Sequence, residues 1–436
     1  MNENTTLQDY IVEHCNQSME IALSKERYPL WRRSCPELND IDFIRLGILR
    51  CIDSVDSGRH FLQTTQDVHD ELLPHSTYFK SLKSARRTGM LEALERQSYS
   101  LHCTMLASQG IDYLRPFPEL DEYTVEAADG HFIEHACHTP KGTKGNVYAA
   151  GFIYSLNLRY GLLKPLCCVT NGTLRNQEIP ALRNSIESNN GEKNPVEKCL
   201  YVYDKAVTDY HWWDKQASYG NYMISMLKEN SVATFVEAIE FDKTREMNTG
   251  IEGYSLYENN DIPFSVVDYR DPETGKLHRF ISTLPVSINP GTIAMLYYKR
   301  WTIEKSFNNS KSNLKEKKAW SSNTCALKNQ MRLTAMTYNL MRVVEEVSKI
   351  QNPDLIHPSD KKYTQTLEKR QQAASKKGRF VNPLFFQARI VRISSYHYCP
   401  VKEKGAPLKS PSPLSCGKIA VLETAIFQTG LRHETF

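Results

Sequence analysis

The chain has 436 residues, of which 40% are hydrophobic and 24% are charged, and this composition is typical of a soluble globular protein. The length allows a large core and more than one domain. The net charge is only +4, which excludes a chain that is strongly basic throughout, and no apolar stretch approaches the ~20 residues that span a membrane.

Cysteine usage indicates the cellular compartment. The eleven cysteines form no C-x-x-C pair, and the N-terminal sequence MNENTTLQDY has no apolar signal segment. These observations predict a reduced, cytoplasmic protein. Cys167 and Cys168 lie in the apolar run LLKPLCCV, and we interpret them as buried strand residues rather than as a site.

The first 115 residues are predicted to be mostly helical. The run IDFIRLGILRCIDSV has apolar residues at helical spacing, and HSTYFKSLKSARRTGMLEALERQ begins with a candidate cap at Ser76 or Thr77. The second run is predicted to be one basic helix, with Lys80, Lys83, Arg86 and Arg87. It could bind a phosphate backbone, and a solvated surface helix is an equal alternative.

From about residue 119 the pattern changes to strands. YTVEAADGHFIEHA, NVYAAGFIYSLNLRY and LLKPLCCVT are three β-rich runs, followed by the helical IPALRNSIE and a fourth strand, KCLYVYDKA. Four further strand-like runs lie between residues 225 and 288 with no helical stretch between them, which predicts an inserted all-β subdomain.

Two carboxylates follow apolar strands. Asp129 closes the run YTVEAAD before Gly130, and Asp204 closes CLYVYD. Because α/β folds place active sites at strand ends, we predict both to be functional. Each taken alone is more often a turn or helix-cap aspartate.

A predicted helix carries the most specific motif. Asn289-Pro290 supplies an N-cap followed by proline at the first helical position. The motif then reads Tyr297-x-x-Arg300-x-x-x-Glu304, with Lys311 seven residues later. At ~100° per residue these four side chains lie within roughly 60° of one another, so that one helix face presents a carboxylate among phosphate-binding groups.

Basic charge is concentrated around this motif and in the C-terminal region. Residues 299–318 have seven Lys or Arg against two Glu, and residues 361–404 have eleven against two. Such clusters suit a polyanionic partner, although a solvated basic face is as good an interpretation of the second one. Between them, ALKNQMRLTAMTYNLMRVVEEV predicts a core-facing helix. Residues 351–436 are predicted to form a basic, partly disordered region.

The motif resembles the Y-(2)-R-(3)-E-(6)-K signature of DDE transposases of the insertion-sequence-four type. The resemblance covers roughly residues 119–345 and implies an α/β fold with a ribonuclease H-like catalytic domain. It implies catalytic, metal-binding roles for Asp129, Asp204 and Glu304. It also implies domains at 1–115 for recognition of the element ends, at 116–350 for catalysis, with a β insertion at about 225–288, and at 351–436 for the basic tail.

The implied reaction is two-metal-ion phosphoryl transfer that cleaves and joins DNA at the ends of an insertion sequence. Two Mg²⁺ ions, for which Mn²⁺ can substitute, would be the cofactors. Tyr297, Arg300, Trp301 and Lys311 would bind DNA, Trp301 by stacking on an extruded base. The implied partners are terminal inverted repeats, target DNA and a second protomer, and the implied location is the cytoplasm, with the nucleoid.

The sequence departs from the family pattern at the second acid. Asp204 is followed by Lys-Ala-Val rather than by Arg-Gly-Tyr, and Asp209 and Asp214 are nearby alternatives. We prefer Asp204 because the apolar strand ends there. A zinc site at His131, His135 and Cys137 is disfavoured because no fourth ligand accompanies them.

Two other functions remain open at this point. One is a nuclease of the same fold that cuts DNA without joining it, as in a domesticated transposase. The other is a catalytically inactive protein that only binds terminal repeats. Trp212 and Trp213 could also stack on bases, and core packing is the alternative for each of them and for Trp301.

Overall fold

The computed structural model describes residues 35, 37–52, 57–64, 73–135, 148–170, 174–190, 197–228, 231–314, 316, 318–351, 358–382 and 385. The helices with at least seven residues are α1 Asp40–Ile52, α2 Gly58–Thr64, α3 His75–Leu82, α4 Ala85–Ser108, α5 Leu174–Asn190, α6 Tyr210–Ala217, α7 Pro290–Asn313, α8 Thr324–Gln351 and α9 Pro358–Ser375. The strands are β1 Tyr123–Glu134, β2 Tyr148–Asn157, β3 Leu162–Val169, β4 Lys198–Val202, β5 Asn221–Met226, β6 Thr234–Ala238, β7 Ile251–Asn259, β8 Ile262–Arg270 and β9 Leu277–Ser282.

All nine strands form one mixed sheet in the order β3-β2-β1-β4-β5-β9-β8-β7-β6. The three central strands β1, β4 and β5 are parallel. The strands on either side are antiparallel, with β2 and β3 flanking β1, and with β9 joining β5 to the meander β8-β7-β6. The structure is therefore an α/β fold with a large, mostly antiparallel sheet.

Helices cover both faces of the central strands. Along β1, Val125 and Ala127 pack in the main core with residues of α1, α7 and α8, whereas Ala128 packs with Leu182 and Ile186 of α5. Successive side chains of a strand point to opposite faces, so α7 and α5 lie on opposite sides of β1. No helix within the described ranges is both long and apolar enough to cross a membrane.

The described part of the N-terminal region, residues 37–52, 57–64 and 73–115, is mostly helical, as predicted, but the basic stretch forms two helices instead of one. The predicted helix is interrupted between α3 and α4. There the Ser84 side chain accepts a hydrogen bond from the backbone N–H of Arg87 and caps α4. Arg86 and Arg87 both pair with Asp40 at the start of α1. Two of the four predicted basic surface groups therefore join α4 to α1. Residues 1–34 lie outside the described residues.

The predicted elements from β1 to α8 are present, with differences at three points. β1 does not end at Asp129, because its antiparallel pairing with β2 continues through Glu134. The sequence reasoning also missed β5 and α6. The run NYMISM in β5 has neither strict alternation nor a high content of β-branched residues, so local pattern does not identify it.

The C-terminal region contains one described helix, α9. The prediction of a partly disordered tail falls largely on residues 386–436, which lie outside the described residues.

Candidate active site

The register of the parallel strands β1 and β4 brings the first two predicted acids side by side. β1 and β4 pair from Tyr123↔Lys198 to Ala127↔Val202. Asp129 lies two residues beyond Ala127, and Asp204 lies two residues beyond Val202. Both acids therefore belong to the same face of the sheet as Ala127 and Val202, which pack in the main core beside α7. Asp204 is exposed directly after a buried strand.

Helix α7 carries the third acid to the same place. It begins at Pro290, as predicted, and packs across β1 and β5. Its buried Arg300 lies with Nη1 3.2 Å from Oε1 of Glu304 and 3.8 Å from Oδ2 of Asp129. One guanidinium nitrogen thus lies near an acid of the sheet and an acid of the helix, and the buried Nε of Arg300 has no hydrogen-bond partner within the described structure.

The charges at the site act on one another. Burial raises the pKa of Asp129 to about 7, and the neighbouring Glu178 adds to this shift while Arg300 opposes it. Burial also raises the pKa of Glu304. The positive charge of Arg300 opposes this shift, whereas Asp129 and Asp204 add to it. Asp204 therefore belongs to the same electrostatic group.

The pKa of Arg300 is raised by its neighbours and not by burial. Burial alone would lower it, but Tyr297, Glu304, Asp129 and Asp204 outweigh burial, so the net direction is upward. The guanidinium is therefore held in its charged form, which suits it to bind carboxylates or phosphate oxygens.

Glu178 of α5 is a residue that the sequence reasoning missed. Its Oε1 accepts a hydrogen bond of 3.0 Å from the backbone N–H of Gly130, and Oδ1 of Asp129 accepts from the same N–H at 2.8 Å. No local motif marks Glu178, because its approach to β1 depends on how α5 folds back over the sheet.

The other predicted site residues differ in exposure. Tyr297 is buried, with its ring centroid 5.5 Å from the Arg300 guanidinium carbon. Trp301 is 47% exposed beside the same guanidinium, so its indole is accessible to a ligand. Lys311 lies on α7, and its side chain is outside the described part of the structure.

The paired tryptophans after Asp204 are mostly core residues. Trp213 is completely buried, and Trp212 is buried with its indole N–H donating to Glu187 at 2.9 Å. Their packing favours the core interpretation over base stacking.

His131 has structural partners. It is buried, its ring lies 3.4 Å from Glu316, and the Glu316 carboxylate accepts a hydrogen bond from Tyr154. This contact joins β1 and β2 to the segment after α7. Cys137, the third residue of the disfavoured zinc hypothesis, is outside the described residues.

The carboxylate oxygens at the site are of the chemical type that binds a hard cation. Carboxylate oxygens are the ligands that Mg²⁺ prefers, and the raised pKa of Asp129 reflects burial with too little neighbouring positive charge, which a cation would relieve. Within the described residues, however, no group of three or more acidic, His or Cys side chains is close enough to hold an ion. Asp129 and Glu304 both lie near the same nitrogen, Nη1 of Arg300.

Comparison with known families gives the class of protein. Residues 124–340 match the family model described as the transposase DDE domain. The matched segment begins in β1, ends in α8 and contains Asp129, Asp204 and Glu304. Among curated proteins, none matches the chain significantly. This match supports a DDE transposase, which implies a DNA-cleaving enzyme.

Proposed function

We propose that the protein is a DDE transposase of the insertion-sequence-four type that cleaves and joins DNA at the ends of an insertion sequence. The catalytic domain is proposed to be ribonuclease H-like, with β6 to β9 as the insertion before α7. The strand order β3-β2-β1-β4-β5, with α5 between β3 and β4, supports this assignment.

One observation carries the proposal. Asp129 and Glu304, which are far apart in the sequence, both lie near Nη1 of Arg300, and Asp204 acts electrostatically on Arg300 and Glu304. The same residues are the acids of the DDE pattern and the arginine of the helical motif. A structural ion pair alone would not require the additional exposed aspartate at the end of β4.

Asp129, Asp204 and Glu304 are the proposed ligands of two Mg²⁺ ions, for which Mn²⁺ can substitute. When bound, such ions would activate the attacking oxygen and stabilise charge on the leaving oxygen of a phosphodiester. The chain's own contribution is to hold the three carboxylates on two strands and one helix, so that substrate binding does not have to order them.

The motif helix is proposed to hold the DNA strand. Arg300, which its neighbours hold in the charged form, would bind a phosphate, and buried Tyr297 would position its guanidinium. Trp301 would stack on a base, which its exposure permits. Lys311, about two turns beyond Glu304 on the same helix, would bind a neighbouring phosphate as a point charge.

The partners follow from the reaction. We propose that residues 1–115 recognise terminal inverted repeats, that residues 116–350 carry out catalysis and that residues 351–436 add non-specific DNA affinity. Two protomers would pair the two element ends before joining them to target DNA, with the protein acting in the cytoplasm on the nucleoid.

Purified protein, labelled element ends and Mg²⁺ test the proposal. Nicked ends together with joined products are expected, and they would establish a transposase. Nicks that are never joined would indicate a nuclease instead, and binding without nicks would indicate an inactive terminal-repeat-binding protein.

Glu304→Gln is expected to lower cleavage by at least about 100-fold while element-end binding stays within about threefold, because the loss of a metal ligand removes several kcal/mol of transition-state stabilisation. Gel-shift and cleavage assays measure the two effects. Glu197→Gln, at an exposed position before β4, is the control and should behave like wild type. Cleavage by Glu304→Gln within about tenfold of wild type would remove Glu304 from the ligand set.

A further inference from the structure

Glu178 reaches the candidate active site from the opposite side of the sheet. It lies on α5, which packs on the face of β1 away from α7, and its carboxylate shares the Gly130 N–H with Asp129. Two carboxylate oxygens that accept from one N–H lie within a few ångströms of each other. Among the described ion pairs, none includes Glu178.

Gly130 provides the space for this approach. A Cβ atom at position 130 would lie 2.9 Å from the carboxyl carbon of Glu178 and 3.0 Å from its Oε1. The glycine after Asp129 therefore allows a carboxylate from another element to lie flat against the strand. An alanine would displace only the end of a flexible side chain, so β1 itself need not move.

The two carboxylates are held together by tertiary structure, although like charges at this distance repel. Such an arrangement is stabilised when a cation binds beside it. We propose that Glu178 is a fourth acidic residue of the active site, which positions Asp129 through the shared Gly130 N–H and strengthens the binding of a divalent cation. This inference rests on the proposed function and extends the site beyond the three acids of the DDE pattern.

Ca²⁺ binding to the full chain tests the inference without requiring catalysis. Isothermal titration should give Asp129-dependent binding in the wild type, with loss of that binding in Asp129→Asn. Glu178→Gln should raise the half-saturating Ca²⁺ concentration roughly 10-fold or more, which is typical when a residue that orients a metal ligand is replaced. Gly130→Ala should change it in the same direction, because the added Cβ displaces the Glu178 carboxylate.

Glu187→Gln is the matched control. It makes the same chemical change on the same helix, and glutamine keeps an oxygen for the indole N–H of Trp212. Its Ca²⁺ affinity should equal that of wild type. As a second readout, the Mg²⁺ concentration for half-maximal cleavage should rise in Glu178→Gln by a factor similar to that for Ca²⁺, with activity recovering at high Mg²⁺.

The outcomes separate this inference from the proposed function. If Asp129→Asn loses Ca²⁺ binding while Glu178→Gln and Gly130→Ala both bind within twofold of wild type, Glu178 is only a structural contact and the inference is wrong. If the wild type itself has no Asp129-dependent binding, the metal assignment of the proposed function fails, and this inference fails with it. A Glu178→Gln variant that does not fold leaves Gly130→Ala as the deciding variant.

Discussion

Asp209 has a structural role that explains why it is a poor candidate for the second acid. Its side chain accepts a hydrogen bond from the backbone N–H of Trp212 at 3.1 Å and pairs with Arg183 at 2.9 Å. It is therefore the N-cap of α6. Asp204 makes no side-chain cap bond, although it also precedes a short helical turn.

Asp204→Asn is consequently expected to lower cleavage by at least about 100-fold, because it removes a charged oxygen donor from the proposed site. Asp209→Asn should stay within about tenfold of wild type, since asparagine is an equally good N-cap residue. Cleavage assays on both variants measure the difference. An inactive Asp209→Asn variant with an active Asp204→Asn variant would move the second ligand to Asp209.

Glu95 is a buried acid away from the active site. It lies on α4 with one carboxylate oxygen that has no hydrogen-bond partner in the described structure. Burial raises its pKa to about 7, although Arg332 and Lys164 oppose the shift. Because the folded-state pKa lies above the unfolded one, Glu95 ionises at a cost to the folded state, and stability is lost as pH rises through about 7.

Glu95→Gln should remove this loss. Relative to wild type, its free energy of unfolding is expected to rise by on the order of 2 kcal/mol between about pH 5 and pH 8. Urea unfolding at the two pH values measures the change. Glu197→Gln, at an exposed position before β4, should keep the wild-type pH dependence. An equal pH dependence in Glu95→Gln and wild type would show that Glu95 ionises freely in the folded protein.

At the scale of elements, the start of α7 is held against the segment between β6 and β7. The backbone N–H of Gly291 donates to Oδ1 of Asn248 at 3.0 Å, and a Cβ at Gly291 would lie 2.3 Å from the backbone oxygen of Met247. This contact sets how α7 enters the molecule, and α7 carries both Arg300 and Glu304. The segment between β6 and β7 therefore contributes to the position of α7.

Gly291→Ala is expected to destabilise the protein by roughly 2 kcal/mol or more, because the clash is with backbone rather than with a flexible side chain. Cleavage should fall as α7 shifts. Gly89→Ala is the matched control: a Cβ at Gly89 meets nothing within 4 Å in α4, so alanine should stabilise by about 0.5–1 kcal/mol. Thermal unfolding and cleavage assays measure both variants. A Gly291→Ala variant as stable as wild type would mean that the backbone at Met247 moves to accommodate the Cβ atom at little energetic cost.

The elements with strong local signals were predictable from the sequence. α7 begins at the predicted Pro290, and α8 has an apolar stripe whose members Leu333, Leu340 and Val347 are buried. The acids at 129 and 204 were predictable because apolar strands precede them. The length of β1 was not, since pairing with β2 rather than local composition carries it past Asp129. Glu178 was not predictable either, because only tertiary packing brings it to Gly130.

At the scale of the molecule, one sheet joins the parallel strands β1, β4 and β5 to the antiparallel strands β6 to β9. β9 pairs with β5 on one side and β8 on the other, so no break in hydrogen bonding separates the two parts. The sheet ends at β6, all of whose residues are exposed, including Phe235 and Val236. An apolar edge strand of this kind favours association between chains.

Val236→Lys should therefore reduce concentration-dependent association, because a charged side chain on an edge strand opposes pairing with another chain. The melting temperature should stay unchanged, since Val236 is exposed. Static light scattering over a concentration series measures the effect. Val286→Lys, which changes an exposed valine in a turn, is the control. If both variants scatter like wild type, β6 does not drive association.

The double pairing of β1 has a consequence for insertions and deletions in the gene. Asp129 lies in a strand whose register is set by β4 up to Ala127 and by β2 through Glu134. One added codon between Tyr123 and Asp129 would turn the carboxylate towards α5, and two would restore its face but move it about 7 Å along the strand. We therefore expect this short interval to tolerate amino-acid replacements far better than changes of length.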